Sequence, residues 1–148
     1  LDANFRVSLK VPYKKYPTPY AACGFYYSAS LPVSIALPAK NSPRSKRFDA
    51  IIDSGASSCI FHAGIGRAIG LDIEKGEPTQ TLGIAGPMEI YLHDISLHVP
   101  GGIIVTRAGF SDGLPIAGLL GMTGFFENFR IAFDPTALRC ELERIYKA

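Results

Sequence analysis

Much that would mark a membrane, metal or nucleic-acid protein is missing from this chain. No apolar run approaches the ~18 residues of a membrane-spanning helix. Charge of neither sign dominates: 15 Lys and Arg face 13 Asp and Glu, a formal net charge of +2. That argues for neither nucleic acid nor a membrane as partner. Cysteine is scarce, at three residues (Cys23, Cys59 and Cys140). With no CxxC pair among them, a zinc ribbon, a thioredoxin-type motif and a disulfide framework are not expected. The scarcity leans towards a reducing, cytoplasmic compartment. The first residue is Leu1 rather than Met, as expected of a processed product or a trimmed chain, so a targeting segment need not be part of it and its compartment stays open. His62, His93 and His98 lack metal-ligand spacing. No GxSxG elbow is present, and Ser57 and Ser58 have no evident base. In the run Gly64–Gly70, Ile69 stands where a dinucleotide fingerprint needs glycine.

What is present reads as one mostly β domain. A chain of 148 residues is long enough for one real core and too short for two ordinary domains. Glycine and proline are plentiful, at 15 and 11 residues, and helical heptads are absent, which favours short strands and many turns. Residues 1–22 differ from the rest. Proline, tyrosine and lysine alternate between Val11 and Tyr20, discouraging helix and central strand, so the expectation is an extended N-terminal arm ahead of a domain over 23–148. Leu31, Val33, Ile35 and Leu37 alternate on one face of a half-buried strand. After the polar, basic turn Lys40–Arg47, Phe48–Ile52 reads as a return strand apolar on both faces. A short helix or turn closed by Gly70 is expected over 62–71. Further strands are expected at 79–84, 88–92, 95–99 and 103–106, with a buried run at 116–121. Gly121–Asn128 allows a helical turn or two. Phe129–Phe133 and Leu138–Leu142 form a closing hairpin around Asp134 and Pro135.

The informative stretch is Phe48–Ala56. An apolar strand feeds straight into Asp53-Ser54-Gly55-Ala56, placing a carboxylate, a hydroxyl and a glycine in succession. Asp, Ser and Gly are also ordinary turn formers, so a capping turn is the plain alternative. Two other features accompany the motif: a hairpin with a small-residue tip, Gly83-Ile84-Ala85-Gly86, some thirty residues on, and Leu119-Leu120-Gly121 near the C-terminus.

Together these resemble the retropepsin-like aspartic proteases, over roughly residues 24–146. Gly124-Phe125-Phe126 after the Leu-Leu-Gly resembles the bacterial and cellular members. The resemblance implies an all-β, partly closed barrel of six to eight strands with one short C-terminal helix. It implies an aspartic endopeptidase with Asp53 catalytic and Ser54, Gly55 and Ala56 shaping the site. Gly83, Ile84, Ala85 and Gly86 become a flap over a peptide or protein substrate, and Leu119, Leu120 and Gly121 support the catalytic loop. No metal or organic cofactor is implied. The chain departs from the family pattern at Ser54, where threonine is commoner, at Met122-Thr123, where Arg-Asp or Arg-Asn is frequent, and at Pro87 beside the flap tip.

The chemistry needs two carboxylates, one to take a proton from water and one to donate to the carbonyl. Held close, they share a proton and titrate as a unit. The motif occurs once. Asp112-Gly113 lacks the intervening hydroxyl residue, and Asp134 precedes proline. The second carboxylate is therefore expected from Asp53 of another chain in a symmetric homodimer. The alternatives are a catalytically silent dimerisation or peptide-binding module on the same fold, and a form autoinhibited by the arm.

Overall fold

The computed structural model describes residues 8–83 and 86–145. In chain order the strands are β1 (Ser8–Pro17), β2 (Phe25–Ala36), β3 (Phe48–Ile52), β4 (Ile60–His62), β5 (Glu77–Gly83), β6 (Gly86–Val99), β7 (Gly102–Ser111), β8 (Gly118–Leu120), β9 (Phe129–Asp134) and β10 (Arg139–Arg144). Among the described residues one α-helix, α1 (Ala63–Ala68), follows β4. Near the C-terminus the helical stretch is one 3-10 turn, Phe126–Asn128. No helix among the described residues is long and apolar enough to cross a membrane.

The strands pair in the order β5-β6-β7-β4-β8-β3-β2-β1-β10-β9, and the far end of β2 also pairs with β6. That extra pairing, Ser34↔His98 to Ala36↔Ser96, closes β6, β7, β4, β8, β3 and β2 into a ring of hydrogen-bonded strands. A closed ring leaves no free edge and encloses the inward side chains. Leu31, Val33 and Ile35 of β2 are buried as their alternation requires. They share the core with Ala50, Ile52, Phe61, Ile95, Leu97, Phe110 and Leu120.

Several details differ from the sequence reading. β3 is central in the ring, yet only Ala50 and Ile52 are buried, while on its other face Ile51 is half-buried and Asp49 exposed. Asp49 on that face meets Lys14 at 3.6 Å. The expected strands at 88–92 and 95–99 are one continuous strand, β6, because its partner β7 runs opposite it without a break from Tyr91↔Phe110 to Val99↔Gly102. The ten strands among the described residues exceed the six to eight expected, and one of them is formed by residues 8–17 of the arm, which join the sheet. Ser8–Pro12 pair with β10 and Tyr13–Pro17 with β2. Pro12 and Pro17 close these two ladders, where a missing N–H costs least.

Candidate active site

The apolar run of β3 delivers Asp53 to the end of the ring. Its backbone N–H donates to the Leu120 carbonyl at 3.0 Å, which ties the loop to the end of β8. The loop then folds back on itself. Ala56 N–H donates to the Asp53 carbonyl at 3.1 Å, and Gly55 N–H donates to Asp53 Oδ1 at 2.9 Å. A Cβ on Gly55 would stand 3.2 Å from that same oxygen, so glycine lets the amide reach the carboxylate unobstructed. Asp53 is half-buried, while Ser54 and Gly55 are exposed.

Leu119, Leu120 and Gly121 lie where they brace this loop. β8 is inserted between β3 and β4, parallel to the first and antiparallel to the second. Beyond it, Met122 N–H donates to the Ala56 carbonyl at 2.9 Å and Thr123 N–H to the Ser57 carbonyl at 3.0 Å. The two backbones approach so closely that a Cβ on Gly121 would lie 2.7 Å from the Ala56 oxygen and nearer still to that of Ser58. Cys59 packs below, fully buried, with its thiol donating to the Thr123 carbonyl at 3.6 Å. Burial pushes that thiol up to about 11, so it stays neutral.

The β5–β6 hairpin arches beside the loop, in register from Glu77↔Leu92 to Gly83↔Gly86. Ile84 and Ala85, expected at its tip, lie outside the described residues. Pro87 sits opposite Leu82 within the hairpin. Between hairpin and loop lies a cleft of about 810 Å³. Asp53 and Leu119 line it, with Pro87, Met88, Glu89 and Tyr91 on one side and Ser111–Ile116 on the other. None of the described arm residues lines it.

Arg67, Glu74, Glu89, Tyr91 and Ser111 escaped the sequence reading here, and Asp112 entered it only as a rejected second aspartate. Arg67 of α1 grips Asp112 with two hydrogen bonds, of 2.7 and 2.9 Å, and reaches Glu74 at 2.9 Å. Its guanidinium holds the Asp112 carboxyl below the usual carboxylate range. The 111–113 turn is further fixed by Gly113 N–H donating to the buried Ser111 Oγ at 3.1 Å. Across the cleft, the Tyr91 hydroxyl donates to Glu89 at 2.8 Å. The Asp112-Gly113 pair was a visible turn signal, but its partner stands 45 residues away in sequence and carries no motif. Glu89 and Tyr91 share a strand face through their i, i+2 spacing, which says nothing about what that face meets.

Comparison with known proteins agrees with this geometry. A family model described as aspartyl protease matches residues 40–123, more than half of the chain. The match contains Asp53, the β5–β6 hairpin and Leu119–Gly121. Among solved structures, a retropepsin-like aspartic protease from Rickettsia conorii superposes with a TM-score of 0.60 at 16% identity, covering 95% of this chain and 93% of that one. The EIAV protease complexed with the inhibitor HBY-793 aligns with a TM-score of 0.48 at 20% identity, over 64% of this chain and 81% of that one. No curated protein matches the sequence. On the ring of strands, the braced Asp53 loop and the family match, the chain belongs to the aspartyl proteases and has the retropepsin-like fold.

Proposed function

We propose that the protein is an aspartic endopeptidase that works as a homodimer, with one Asp53 from each chain forming the catalytic pair. The observation that carries this reading is an Asp53 carboxylate open to a large cleft while its loop is tied by backbone hydrogen bonds to β8. Fixed position and access to substrate are what a general acid–base group requires. The cleft's other aspartate supports the two-chain arrangement. Both carboxylate oxygens of Asp112 are taken by Arg67, so it cannot act as the second catalytic group.

In this reading a water sits between the two Asp53 carboxylates. One carboxylate is ionised and takes the water's proton as its oxygen attacks the amide carbon. The other is protonated and donates to the carbonyl oxygen. The proton is then passed to the leaving nitrogen as the C–N bond breaks. Gly55 keeps the carboxylate oriented, and Ser54 is free to hydrogen-bond across to the partner's loop. Ala56 adds no hydroxyl that would stabilise the charged form, which suits work at mildly acid to near-neutral pH. Leu119, Leu120 and Gly121 hold the loop from beneath. The residues of the hairpin tip, Gly83, Ile84, Ala85 and Gly86, would close on an extended substrate through backbone hydrogen bonds. No cofactor takes part.

Subunit mixing tests the shared site. With wild type held constant, an equal amount of Asp53→Asn chain should lower activity to about half, because random pairing sequesters wild-type chains in one-armed dimers. Activity unaffected by the added variant would mean that each chain works alone.

A further inference from the structure

The outer face of the ring carries a second recess, of about 460 Å³, that shares no residue with the Asp53 cleft. Its floor is β6. Ile95 and Leu97 of that strand are fully buried in the core, so Ser96 and His98 lie on the opposite, outward face. Their neighbours across the sheet are Ala36 and Ser34 of β2 and Val105 and Ile103 of β7. The wall is the basic turn after β2, and it is fixed in place. Ser45 N–H donates to the Ile35 carbonyl at 2.8 Å, and its hydroxyl accepts from Ile35 N–H at 3.0 Å. The Ser42 hydroxyl donates to the Ala39 carbonyl at 2.6 Å. Lys40 and Arg44 of this turn line the recess together with Ser96 and His98. Arg44 and His98 also line an adjoining pocket with Arg47. No Asp or Glu among the described residues lines either one.

Three features of this recess have no use within the fold. Ser96 is only 8% exposed, and its hydroxyl makes no hydrogen bond among the described residues. A buried hydroxyl without a partner is costly. Lys40 and Arg44 take part in none of the ion pairs among the described residues. Partial burial and, after it, the Arg44 charge lower the His98 pKa below the ordinary histidine value, as happens where cations gather with no anion between them. We propose that this recess binds a phosphate group carried on a larger molecule. A phosphate monoester brings nearly two negative charges and three terminal oxygens. It matches two permanent cations together with the Ser96 hydroxyl and a His98 N–H. A carboxylate has one charge and two oxygens, and would leave part of this donor set unused. The recess has room beyond the phosphate itself, and Leu37 and Ile103 give the carrier an apolar surface. The site stands apart from Asp53 and does not rest on the protease reading.

The test is calorimetric titration at fixed ionic strength with four probes: inorganic phosphate, phenyl phosphate, a short phosphoserine peptide and acetate. Wild type should bind the phosphate probes with a Kd on the order of 1 mM or tighter, and acetate at least about tenfold more weakly. Arg44→Ala should weaken phosphate binding about tenfold, by removing the guanidinium fork. Ser96→Ala should weaken it about threefold while leaving thermal unfolding unchanged, since its hydroxyl has no partner within the fold to lose. Added salt should weaken binding by wild type only modestly, because the site is partly enclosed. Tighter binding of the peptide than of phenyl phosphate would support the proposal with a phosphorylated segment as the carrier. Equal binding of the two would support it with a small phosphate ester. A wild type that binds no phosphate probe, or binds phosphate no better than acetate, overturns the proposal even where a variant fails to fold. So does phosphate binding that survives undiminished in both Arg44→Ala and Ser96→Ala. Neither result touches the protease reading, which is judged at Asp53.

Discussion

The two ends of β2 have opposite environments within one strand. From Ala29 to Ala36 nearly every residue is buried, with Leu31, Val33 and Ile35 at 1% exposure or less. From Phe25 to Ser28 none is. The chemistry of the residues does not explain this, since Phe25, Tyr26 and Tyr27 are large and aromatic. Partnership does. The inner end pairs with β3 over Ser30–Val33 and with β6 over Ser34–Ala36, which closes the ring. The outer end pairs with β1 alone. An isolated two-stranded hairpin is marginal in water, and this one is held by side-chain contacts. Tyr16 and Tyr26 meet tilted at 5.8 Å, Phe25 meets Tyr27 edge-on at 5.6 Å, and Lys15 lies 3.8 Å above the Phe25 ring. The Tyr16 hydroxyl shares a 2.6 Å hydrogen bond with the buried Ser30 and so pins the hairpin to the ring. Stability thus comes from closing the ring, and the Asp53 loop is built on the closed part.

The sharpest way to break this contrast is to empty the inner end. Ile35→Ala should cost about 3 kcal/mol in denaturant unfolding, because a fully buried aliphatic side chain leaves a cavity. Next comes the loop brace. Gly121→Ala drives a methyl group into two backbone carbonyls that cannot give way, and should cost about 2 kcal/mol. It should also lower kcat by displacing Asp53. At the outer end, Tyr26→Ala should cost less than about 1 kcal/mol, the worth of one exposed aromatic pair. If Tyr26→Ala proved as damaging as Ile35→Ala, the hairpin would have to be counted as core.

The smallest effect concerns the wall of the cleft. Arg67→Ala should raise KM about threefold with little change in kcat, since it loosens the 111–116 segment and leaves the chemistry in place. This pair also sets a pH dependence. The fold lowers the Asp112 pKa, so the pair's contribution is complete above the ordinary carboxylate value near 4. It fades only as pH falls through the lower folded value. The stability gap between wild type and Asp112→Asn should hold from neutral pH down to about 5 and close below about 4. A gap that instead closed between pH 7 and 5 would show that another group controls it.

How much of this was readable beforehand varied with the range of the interactions. The alternation of Leu31, Val33 and Ile35, the apolar approach to Asp53, the short helix before Gly70 and the closing hairpin at Asp134 are local patterns, and the sequence displays them directly. Leu119-Leu120-Gly121 could be placed under the loop only through the family resemblance. The close approach of Gly121 to Ala56 and Ser58 is a relation between segments some 60 residues apart. The arm is the instructive case. Its prolines spoke against a central strand, yet Pro12 and Pro17 fall at ladder ends, and the strand forms around them. Pairings such as Arg67 with Asp112, or Tyr91 with Glu89 facing into the cleft, depend on the order of strands in the ring, which no local pattern encodes.

The most direct test of the central claim is digestion of a mixed peptide library at several pH values between 4 and 7. Wild type and Asp53→Asn are compared side by side, at protein concentrations high enough to favour dimers, with products identified by mass spectrometry. Wild type should cut, and the variant should lose at least about a thousandfold in rate, as expected when a general acid–base group is removed. Equal cutting by both proteins would contradict the account, because it would place the catalyst somewhere other than Asp53.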